Sequence, residues 1–242
     1  MAQNVNPYKD SQNSKREQVE QMFDTISKEY DGLNRVISFG IDVKWRKKVV
    51  NLVKETQPQI ILDVATGTGD LAINMVKTGA KKIIGLDISA GMLDVGRKKI
   101  KAKGYENIIE MVQADSENLP YTDNYFDAIT VAFGVRNFEN LEKGLGEILR
   151  VLKPNGIFII LETSVPVKTP FKQGYTLYSN KILPIIGRLF SKDKDAYAYL
   201  SKSASVFPYG EKLNNILRKI GFTNVQDKPQ TFGVATIYCA SK

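Results

Sequence analysis

Apolar residues near the start of the chain recur at the spacing of an α-helix. Residues 14–30 predict one helix, and residues 42–55 predict a second helix with Asp42 as its N-cap. A loop or short turn is predicted over 30–40, and the polar residues 1–13 are expected to form a loose arm. The apolar face of the first helix consists of Val19, Met22, Phe23, Ile26 and Tyr30.

From residue 59 the pattern changes to short apolar runs that alternate with amphipathic stretches. The runs predict strands over 59–65, 82–88, 108–115, 125–133 and 157–163, with helices over 70–79, 90–104 and 140–156. Strands that alternate with helices are typical of a parallel sheet covered on both faces. An aromatic-rich helical stretch over 164–208, with a break at Pro184–Gly187, interrupts the alternation. The chain ends with a helix over 210–221 and strands over 222–228 and 232–241.

The composition limits the kinds of protein that this chain can be. The net charge of +8, from 34 Lys and Arg against 26 Asp and Glu, suggests an anionic partner or a solvated lysine-rich surface. The single cysteine, Cys239, cannot form a disulfide within the chain, and the absence of histidine removes the usual general base. No metal site is expected. Without a secretory signal or a run of about 18 apolar residues, the protein is expected to be cytoplasmic.

The stretch ILDVATGTGD, residues 61–70, carries the first chemical signal. A predicted strand reaches Asp63, and Gly67 and Gly69 would let the following backbone approach a ligand closely. A dinucleotide fingerprint needs a third glycine and places a pyrophosphate at the N-terminus of the next helix. Here Asp70 opens that helix, where a carboxylate suits the helix dipole but repels phosphate. A nicotinamide-dependent dehydrogenase is therefore disfavoured.

Two further acids follow the next two predicted strands. Asp87 is placed where a carboxylate can accept hydrogen bonds from both hydroxyls of a ribose, and Asp115 where it can accept from an adenine amino group. A nucleoside with a positive charge and no phosphate fits this set of acids, and S-adenosylmethionine has these properties. The alternative is that Asp87 and Asp115 cap turns or helices.

Several stretches of the chain resemble one family of enzymes. The chain is similar to class I S-adenosylmethionine-dependent methyltransferases and, within them, to the UbiE/MenG family of ubiquinone and menaquinone C-methyltransferases. The resemblance covers nearly the whole chain beyond the first dozen residues. The stretches that carry it most specifically are MFDTISKEYDGLNRVISFGIDVKWR (22–46), FGVRN (133–137) and YLSKS (199–203), beside LDVATGTGD (62–70).

The resemblance implies an α/β fold in one domain over 1–242. This fold is a Rossmann-like, seven-stranded, mostly parallel sheet with N-terminal helices and a helical insertion before the last two strands. Residues 14–55 are expected to form a lid, and 164–208 a substrate-side insertion. The implied S-adenosylmethionine-binding residues are Asp63, Ala65, Gly67, Thr68, Gly69, Asp87, Ile88, Met92, Asp115, Ser116 and Ala132. Ala132 stands where some members have serine, so one cofactor contact differs.

The implied reaction is C-methylation of a reduced polyprenyl quinone precursor, with demethylmenaquinol as the expected substrate. The benzoquinol of the ubiquinone pathway is a second substrate, and a sterol or phospholipid-headgroup methyltransferase is the alternative function. Arg136 is expected to stabilise the phenolate beside Asn137 while a water takes the proton. The alternative for Arg136 is a salt bridge to Glu139 or Asp31. The implied substrate-binding residues are Tyr30, Asn34, Phe133 and Tyr197.

The resemblance also implies a lipid-soluble partner. The basic, apolar segment 175–190 could meet an anionic membrane at the inner face, cover the core or form a dimer contact. No nucleic-acid partner is expected, because the chain contains neither a separate RNA-binding module nor an Asn-Pro-Pro-aromatic motif. A homodimer and a non-enzymatic binding protein on the same fold stay open.

Overall fold

A single mixed sheet organises the protein, whose computed structural model describes residues 5–8, 10–178 and 193–242, without the side chains of Lys194 and Tyr197. The strands are β1 (Ile60–Val64), β2 (Lys82–Asp87), β3 (Ile109–Gln113), β4 (Phe126–Ala132), β5 (Leu152–Thr163), β6 (Thr223–Gln230) and β7 (Ala235–Ser241). Within the described residues they form a seven-stranded sheet in the order β3-β2-β1-β4-β5-β7-β6. Only β7 pairs antiparallel with β5 and β6. The predicted fold class is confirmed.

Helices cover both faces of the sheet. They are α1 (Lys15–Ile26), α2 (Tyr30–Ile37), α3 (Ile41–Glu55), α4 (Asp70–Met75), α5 (Ala90–Lys103), α6 (Leu141–Val151), α7 (Phe171–Leu177), α8 (Lys194–Val206) and α9 (Glu211–Ile220). Among the residues that the structure describes, no helix has the length and apolar character needed to cross a bilayer.

The core consists of two apolar layers, one on each face of the sheet. Along β5 the side chains alternate, so Phe158 and Ile160 join the layer under α6 and α9. Ile159 and Leu161 join the layer under α3, α4 and α5. This alternation is the two-residue period of a strand buried on both sides. The next residue, Glu162, ends the apolar run at the carboxyl edge of the sheet.

A third, smaller apolar cluster joins α1 to α5 and α8. Its buried members are Val19, Met22, Ile26, Met92, Ala196 and Tyr199. Asp24 strengthens the junction, because its Oδ1 accepts from Ser89 Oγ at 2.6 Å and from Gly91 N at 2.8 Å at the start of α5. A capping box between Ser14 and Glu17 begins α1. These contacts hold α1 above the carboxyl edge of the sheet.

Three sequence-based expectations near the N-terminus are wrong. The stretch 30–40 contains helix α2 rather than only a loop. Gly40, with a φ of 70°, is the N-cap of α3, and Asp42 instead lies in the first turn, where it pairs with Ser38 and Arg46. The arm before α1 is also not loose throughout, because Tyr8 N donates to Gln18 Oε1 at 2.9 Å.

The helix predicted over 140–156 is shorter than expected. It ends at Val151, and β5 begins at Leu152. Pro154 explains the difference, because a proline disfavours helical conformation at the residue before it. In the insertion the structure describes α7 and α8, while the predicted break at Pro184–Gly187 and most of the basic segment 175–190 lie outside the described residues.

Candidate active site

Two adjoining cavities lie at the carboxyl ends of β1, β2 and β4, where parallel sheets place their ligands. The first holds about 680 Å³ of empty space including its mouth, and the second about 460 Å³. The predicted residues lining the first are Tyr30, Ala65, Gly67, Asp87, Ile88, Met92, Asp115, Ser116, Ala132, Phe133 and Asn137. Those in the second are Tyr30, Asn34, Asp63, Ala65, Gly67, Thr68 and Ala132.

The glycine loop after β1 has two glycines with different tasks. Gly67 has a φ of 57° and lines both cavities, and its N–H donates to Asp87 Oδ2 at 2.7 Å. Gly69 has a φ of 76° and caps α4, but its Cβ position faces Met111 Cε at 3.3 Å, and it lines neither cavity. The prediction that Gly69 contacts the cofactor is therefore not supported by its position, and its role is to turn the backbone.

Asp87, the last residue of β2, and Asp115, just after β3, cap turns and also line the first cavity. Asp87 Oδ1 accepts from Ser89 N at 2.9 Å, and Asp115 Oδ1 accepts from Glu117 N at 2.8 Å. Arg16 of α1 donates to the other oxygen of Asp115 at 3.2 Å. A carboxylate offers about four lone-pair sites, so each acid can still accept from a ligand hydroxyl or amino group. Burial raises the pKa of Asp87 above its ordinary value.

Asp63 faces the second cavity and is almost fully buried. Its carboxylate accepts from Thr66 Oγ1 at 2.6 Å and from Thr130 Oγ1 at 2.7 Å. Burial raises its pKa to about 6, although these hydroxyl donors oppose the shift. Asp63 therefore holds the glycine loop against β4 at the junction between the two cavities.

The charges around the first cavity favour a cationic ligand. Its acidic lining residues are Asp87, Asp115, Glu117 and Glu139, against the single cation Arg16. Asp70, at the start of α4, is paired with Lys99. A lining of this kind fits a sulfonium and a ribose diol and offers no cluster of donors to a pyrophosphate. The residues present therefore fit S-adenosylmethionine.

Arg136 lies behind the wall of the first cavity rather than in its lining. Its Nη1 donates to the carbonyl of Phe133 at 2.8 Å and to Glu162 Oε1 at 2.6 Å. Both side chains of this salt bridge are buried, with 8% of Arg136 and 1% of Glu162 exposed. The salt bridge expected between Arg136 and Glu139 or Asp31 is therefore wrong in its partner, which is Glu162. Glu162 reaches Arg136 because β5 pairs with β4. Glu162 lies near the end of β5, next to the turn after β4 that carries Arg136.

Comparison with known proteins decides the family. The model of the ubiE/COQ5 methyltransferase family matches residues 11–242. The chain belongs to this family. The predictions of the family and of an S-adenosylmethionine-dependent methyltransferase are thereby confirmed.

Full-length relatives support the same assignment for this member of the family. The chain is 48% identical over 239 residues to a demethylmenaquinone methyltransferase of Bacteroides fragilis, covering 98% of this chain and 97% of that one. It is 44% identical over 230 residues to a ubiquinone/menaquinone biosynthesis C-methyltransferase UbiE of Geotalea daltonii, covering 94% and 97%.

Solved structures at lower identity show the fold. A methyltransferase of Methanococcus maripaludis described as putative and S-adenosyl-L-methionine-dependent matches with a TM-score of 0.65 and 20% identity, covering 96% of each chain. The cyclase SpnF matches with a TM-score of 0.62 and 22% identity, covering 88% of this chain and 74% of that one. A cyclase among these neighbours illustrates that the fold alone does not fix the reaction.

Helix α2 is tied to the glycine loop through Asp31. Asp31 Oδ1 accepts from Thr68 Oγ1 at 2.6 Å, and Asp31 Oδ2 accepts from Lys99 Nζ at 2.8 Å. The hydroxyl of Thr68, predicted to bind cofactor, is thus committed to Asp31. Tyr30 begins α2 and Asn34 follows one turn later, so this tie places both at the second cavity.

Two residues of the site, Glu162 and Lys15, were missed by sequence reasoning, and a third, Tyr199, was considered beside Tyr197 and not chosen. Glu162 ends the apolar run IFIIL, the same signal that identified Asp63, so it could have been found. Tyr199, which is 2% exposed, donates from its hydroxyl to Asn137 Oδ1 at 3.1 Å. Sequence reasoning chose Tyr197 instead, whose side chain lies outside the description. Lys15 contacts the carbonyls of the turn that carries Arg136, and no local pattern identifies it.

Proposed function

We propose that the protein transfers a methyl group from S-adenosylmethionine to a ring carbon of demethylmenaquinol, giving menaquinol. The observation that carries the proposal is the full-length match to relatives named demethylmenaquinone methyltransferase, at 41% to 48% identity. The acid-lined first cavity supports the cofactor half of the proposal. The relatives named UbiE support the corresponding benzoquinol as a second substrate.

Asp87 and Asp115 hold the nucleoside in the first cavity, with Ile88 and Met92 providing apolar walls. When bound, S-adenosylmethionine supplies an electrophilic methyl group on its sulfonium. Alignment of the acceptor carbon with that methyl group, along the line of the bond that breaks, supplies much of the rate enhancement.

Arg136 supplies the electrostatic part of the mechanism. A phenol ionises near pH 10, so the site must favour the phenolate whose charge activates the ortho carbon. The buried guanidinium of Arg136 lies directly behind Phe133 and stabilises this charge more strongly there than it would in water. Tyr199 orients Asn137, which places an amide in the cavity wall beside Arg136.

The test combines complementation with purified enzyme. Expression of the chain in a mutant that lacks quinone methylation should restore methylated menaquinone, identified by mass spectrometry of the quinone pool. A demethylated pool that persists despite good expression contradicts the proposal. Parallel incubations of the purified protein with the benzoquinol, a sterol and a phospholipid distinguish the alternative substrates. The substrate that the enzyme accepts is the one whose product gains the mass of one methyl group.

Two variants separate cofactor binding from chemistry. Asp87→Ala should weaken S-adenosylmethionine binding by about tenfold or more, because it removes a charged hydrogen-bond acceptor. Arg136→Ala should bind the cofactor within about threefold of the wild type and lose turnover by about 100-fold, as expected for an electrostatic contributor. Calorimetry gives the first quantity and quinol methylation the second. Normal binding and turnover in both variants would reject these roles.

We also propose that the protein meets its lipid-soluble substrate at an anionic membrane surface. An exposed apolar rim supports this proposal, and we define it as Val36, Phe39, Val43, Val167, Phe171, Leu177 and Phe232. Phe171 stacks on Phe232 with ring centroids 3.8 Å apart, and Tyr178 donates to the carbonyl of Ile37 beside Phe39. The exposed Lys168 and Lys172 add positive charge to this rim.

Vesicle flotation tests the membrane proposal. The wild type should float with anionic phospholipid vesicles, and a double variant, Phe171→Ser with Phe232→Ser, should lose most of this binding because two exposed rings are removed. The control is turnover on a water-soluble, short-tailed quinol, which should be unchanged in the double variant. Equal flotation of both proteins would reject the rim as the contact surface.

A further inference from the structure

We propose that Glu162 is the proton acceptor for the hydroxyl of the quinol, and that Arg136 Nε donates to the same oxygen. The inference deepens the proposed function and rests on it. It assigns a catalytic role to a carboxylate of β5, which replaces the bound water expected from the sequence as the immediate base.

The hydrogen bonds of Glu162 are distributed unequally between its two oxygens. Oε1 accepts from Arg136 Nη1 at 2.6 Å, from Thr163 N at 2.8 Å and from Thr163 Oγ1 at 3.1 Å. Oε2 accepts from none of the described residues, and Arg136 Nε donates to none of them, although both atoms are buried. Buried polar atoms are nearly always partnered in native proteins, so an orphaned donor and an orphaned acceptor on the two members of one salt bridge indicate a ligand that supplies both an acceptor and a donor. A phenol hydroxyl does this with one oxygen.

The position of the salt bridge fits the ring of a quinol. Arg136 holds the carbonyl of Phe133, whose side chain lines the first cavity, and Tyr30 lines both cavities. Tyr30 and Tyr199 lie within electrostatic range of Arg136, and Tyr175 lies within range of both members of the salt bridge. The salt bridge thus lies behind Phe133 in the wall of the first cavity, with three tyrosines within electrostatic range, and this aromatic setting suits a planar aromatic substrate.

The other titratable groups near the salt bridge cannot take the proton as easily. Within the part of the chain that the structure describes, the phenols of Tyr175, Tyr199 and Tyr238 lie within electrostatic range of Glu162, beside its partner Arg136. Burial raises the pKa of Tyr199 and of Tyr238 to about 12, so both stay protonated at neutral pH. Asp63 already accepts a hydroxyl hydrogen bond on each oxygen. With no histidine in the chain, we assign the role of base to Glu162, because it is the carboxylate that forms a salt bridge with Arg136.

The step balances without any further reactant. The quinol O–H bond breaks, its proton moves to Glu162 Oε2, and its electron pair passes into the ring while Arg136 stabilises the oxygen. The ortho carbon forms its bond to the methyl group as the methyl–sulfur bond breaks, which neutralises the sulfonium. The same ring carbon then loses its hydrogen to water as a proton, and Glu162 returns a proton to the oxygen. One proton is released to solvent in each turnover.

Ligand binding tests the acceptor without requiring turnover. We compare 1-naphthol with its methyl ether, which cannot donate a hydrogen bond, by fluorescence titration and by competition with the quinol. The wild type should bind the naphthol about tenfold or more tightly, because the ether leaves Oε2 unpartnered. In Glu162→Gln the amide nitrogen donates at this position, so the preference should disappear or reverse. Equal loss of affinity for both ligands would indicate a merely structural role and overturn the proposal.

The pH dependence of methylation gives a second readout. Glu162→Gln should lose about 100-fold or more in kcat, in the range expected for loss of a general base, and its kcat should rise with hydroxide concentration. Glu147→Gln is the matched control, because it removes the partner of Arg150, 2.7 Å away, in a salt bridge that lines neither cavity. A Glu162→Gln kcat that matches this control, with the wild-type pH profile, would overturn the proposal.

If the Glu162→Gln variant does not fold, the comparison of 1-naphthol with its ether on the wild-type protein still tests the proposal. In that case, an absence of preference for 1-naphthol over its ether in the wild type rejects Glu162 as the acceptor. The proposed function fails separately, when wild-type enzyme does not methylate demethylmenaquinol at all. Methylation by the wild type together with an unaffected Glu162→Gln variant rejects only the role of Glu162.

Discussion

Lys15 Nζ donates to the carbonyl oxygen of Phe138 at 2.7 Å, in a buried contact between residues 123 positions apart. The same ammonium donates to the carbonyl of Arg136 at 3.3 Å, and Lys15 N donates to Glu139 Oε1 at 3.0 Å. Burial lowers the pKa of Lys15, while nearby carboxylates oppose this shift. The first residue of α1 therefore fixes the backbone that carries Arg136 and Asn137.

Removing this ammonium should lower turnover more than cofactor affinity. Lys15→Met keeps the length of the side chain but leaves the carbonyls of Arg136 and Phe138 without their donor. We expect kcat to fall about tenfold and the free energy of unfolding to fall by about 2 kcal/mol. Quinol methylation and urea denaturation measure these quantities. The control is Lys28→Met, because Lys28 is exposed and lies just beyond the C-terminus of α1. This variant should leave both values unchanged. An equal effect of the two variants would contradict the role of Lys15 in holding the turn that carries Arg136.

Loosening α2 should speed the release of cofactor. In Asp31→Asn the bond from Thr68 can persist, but the ion pair with Lys99 is lost, so α2 is held less tightly on the glycine loop. We expect the dissociation rate of S-adenosylmethionine, measured by stopped-flow, to rise about threefold to tenfold. Asp94→Asn, which breaks the exposed ion pair with Arg97, is the matched control and should leave this rate unchanged. Identical rates in both variants would show that α2 does not retain the cofactor.

Asp63 should make stability depend on pH in a defined window. Its folded pKa of about 6 lies above the ordinary value of 3.8, so the folded protein binds the proton more tightly than the unfolded chain. The stabilisation is complete below about pH 4 and is lost as pH rises through 6, with a magnitude of about 3 kcal/mol. Asp63→Asn cannot ionise and should escape this loss.

Urea denaturation at pH 4.5 and 7.5 checks this expectation. The difference in free energy of unfolding, variant minus wild type, should grow by about 2 kcal/mol toward pH 7.5, because part of the titration precedes pH 4.5. Other groups titrate equally in both proteins and cancel in the difference. A difference that is constant with pH would show that the carboxylate of Asp63 is not perturbed.

The loop after β4 packs too closely on the loop after β1 to accept one more methyl group. A Cβ on Gly134 would lie 2.5 Å from Ala65 Cβ, and the φ of −111° there is open to alanine, so any effect is steric. Gly134→Ala should destabilise the protein by about 1–3 kcal/mol and weaken cofactor binding, since both loops line the first cavity.

Gly146→Ala is the control for this steric effect. A Cβ on Gly146 would have no neighbour within 4 Å, and the residue lies in α6. Replacing glycine by alanine within a helix should stabilise it by up to about 1 kcal/mol. Thermal melts and calorimetry with S-adenosylmethionine compare the variants, and a Gly134→Ala protein that behaves like Gly146→Ala would refute the close packing.

The sequence predicted the fold well because the signals for the sheet are local. Apolar runs of strand length separated by amphipathic stretches reproduced the strands, and Asp63, Asp87 and Asp115 were found because each follows such a run. Helix α2 was missed because Gly32 and Asn34 lower its intrinsic propensity. Its helical state is supported instead by contacts of Asp31 with Thr68 and Lys99, which no local pattern contains.

The residues around Arg136 were predicted less completely than the cofactor-binding residues, because they contact residues that are far apart in the sequence. Arg136 was identified from the FGVRN motif, but its partner lies on another strand, and only the pairing of β4 with β5 brings Glu162 to it. Lys15 acts on carbonyl groups, which every residue possesses, so nothing in the sequence marks its target. Contacts between residues so far apart in the sequence can be predicted only when the fold is known.

Val19 and Phe23 of α1 roof the first cavity, and α1 is itself pressed between α5 and α8. We expect the spent nucleoside, held beneath these two side chains, to leave more readily when the N-terminal helix undocks from α5 and α8. In many enzymes, product release or the opening of a covering segment is the rate-limiting step. We therefore expect the packing of α1 against α5 and α8 to limit turnover through the rate of product release, however fast the methyl group itself is transferred.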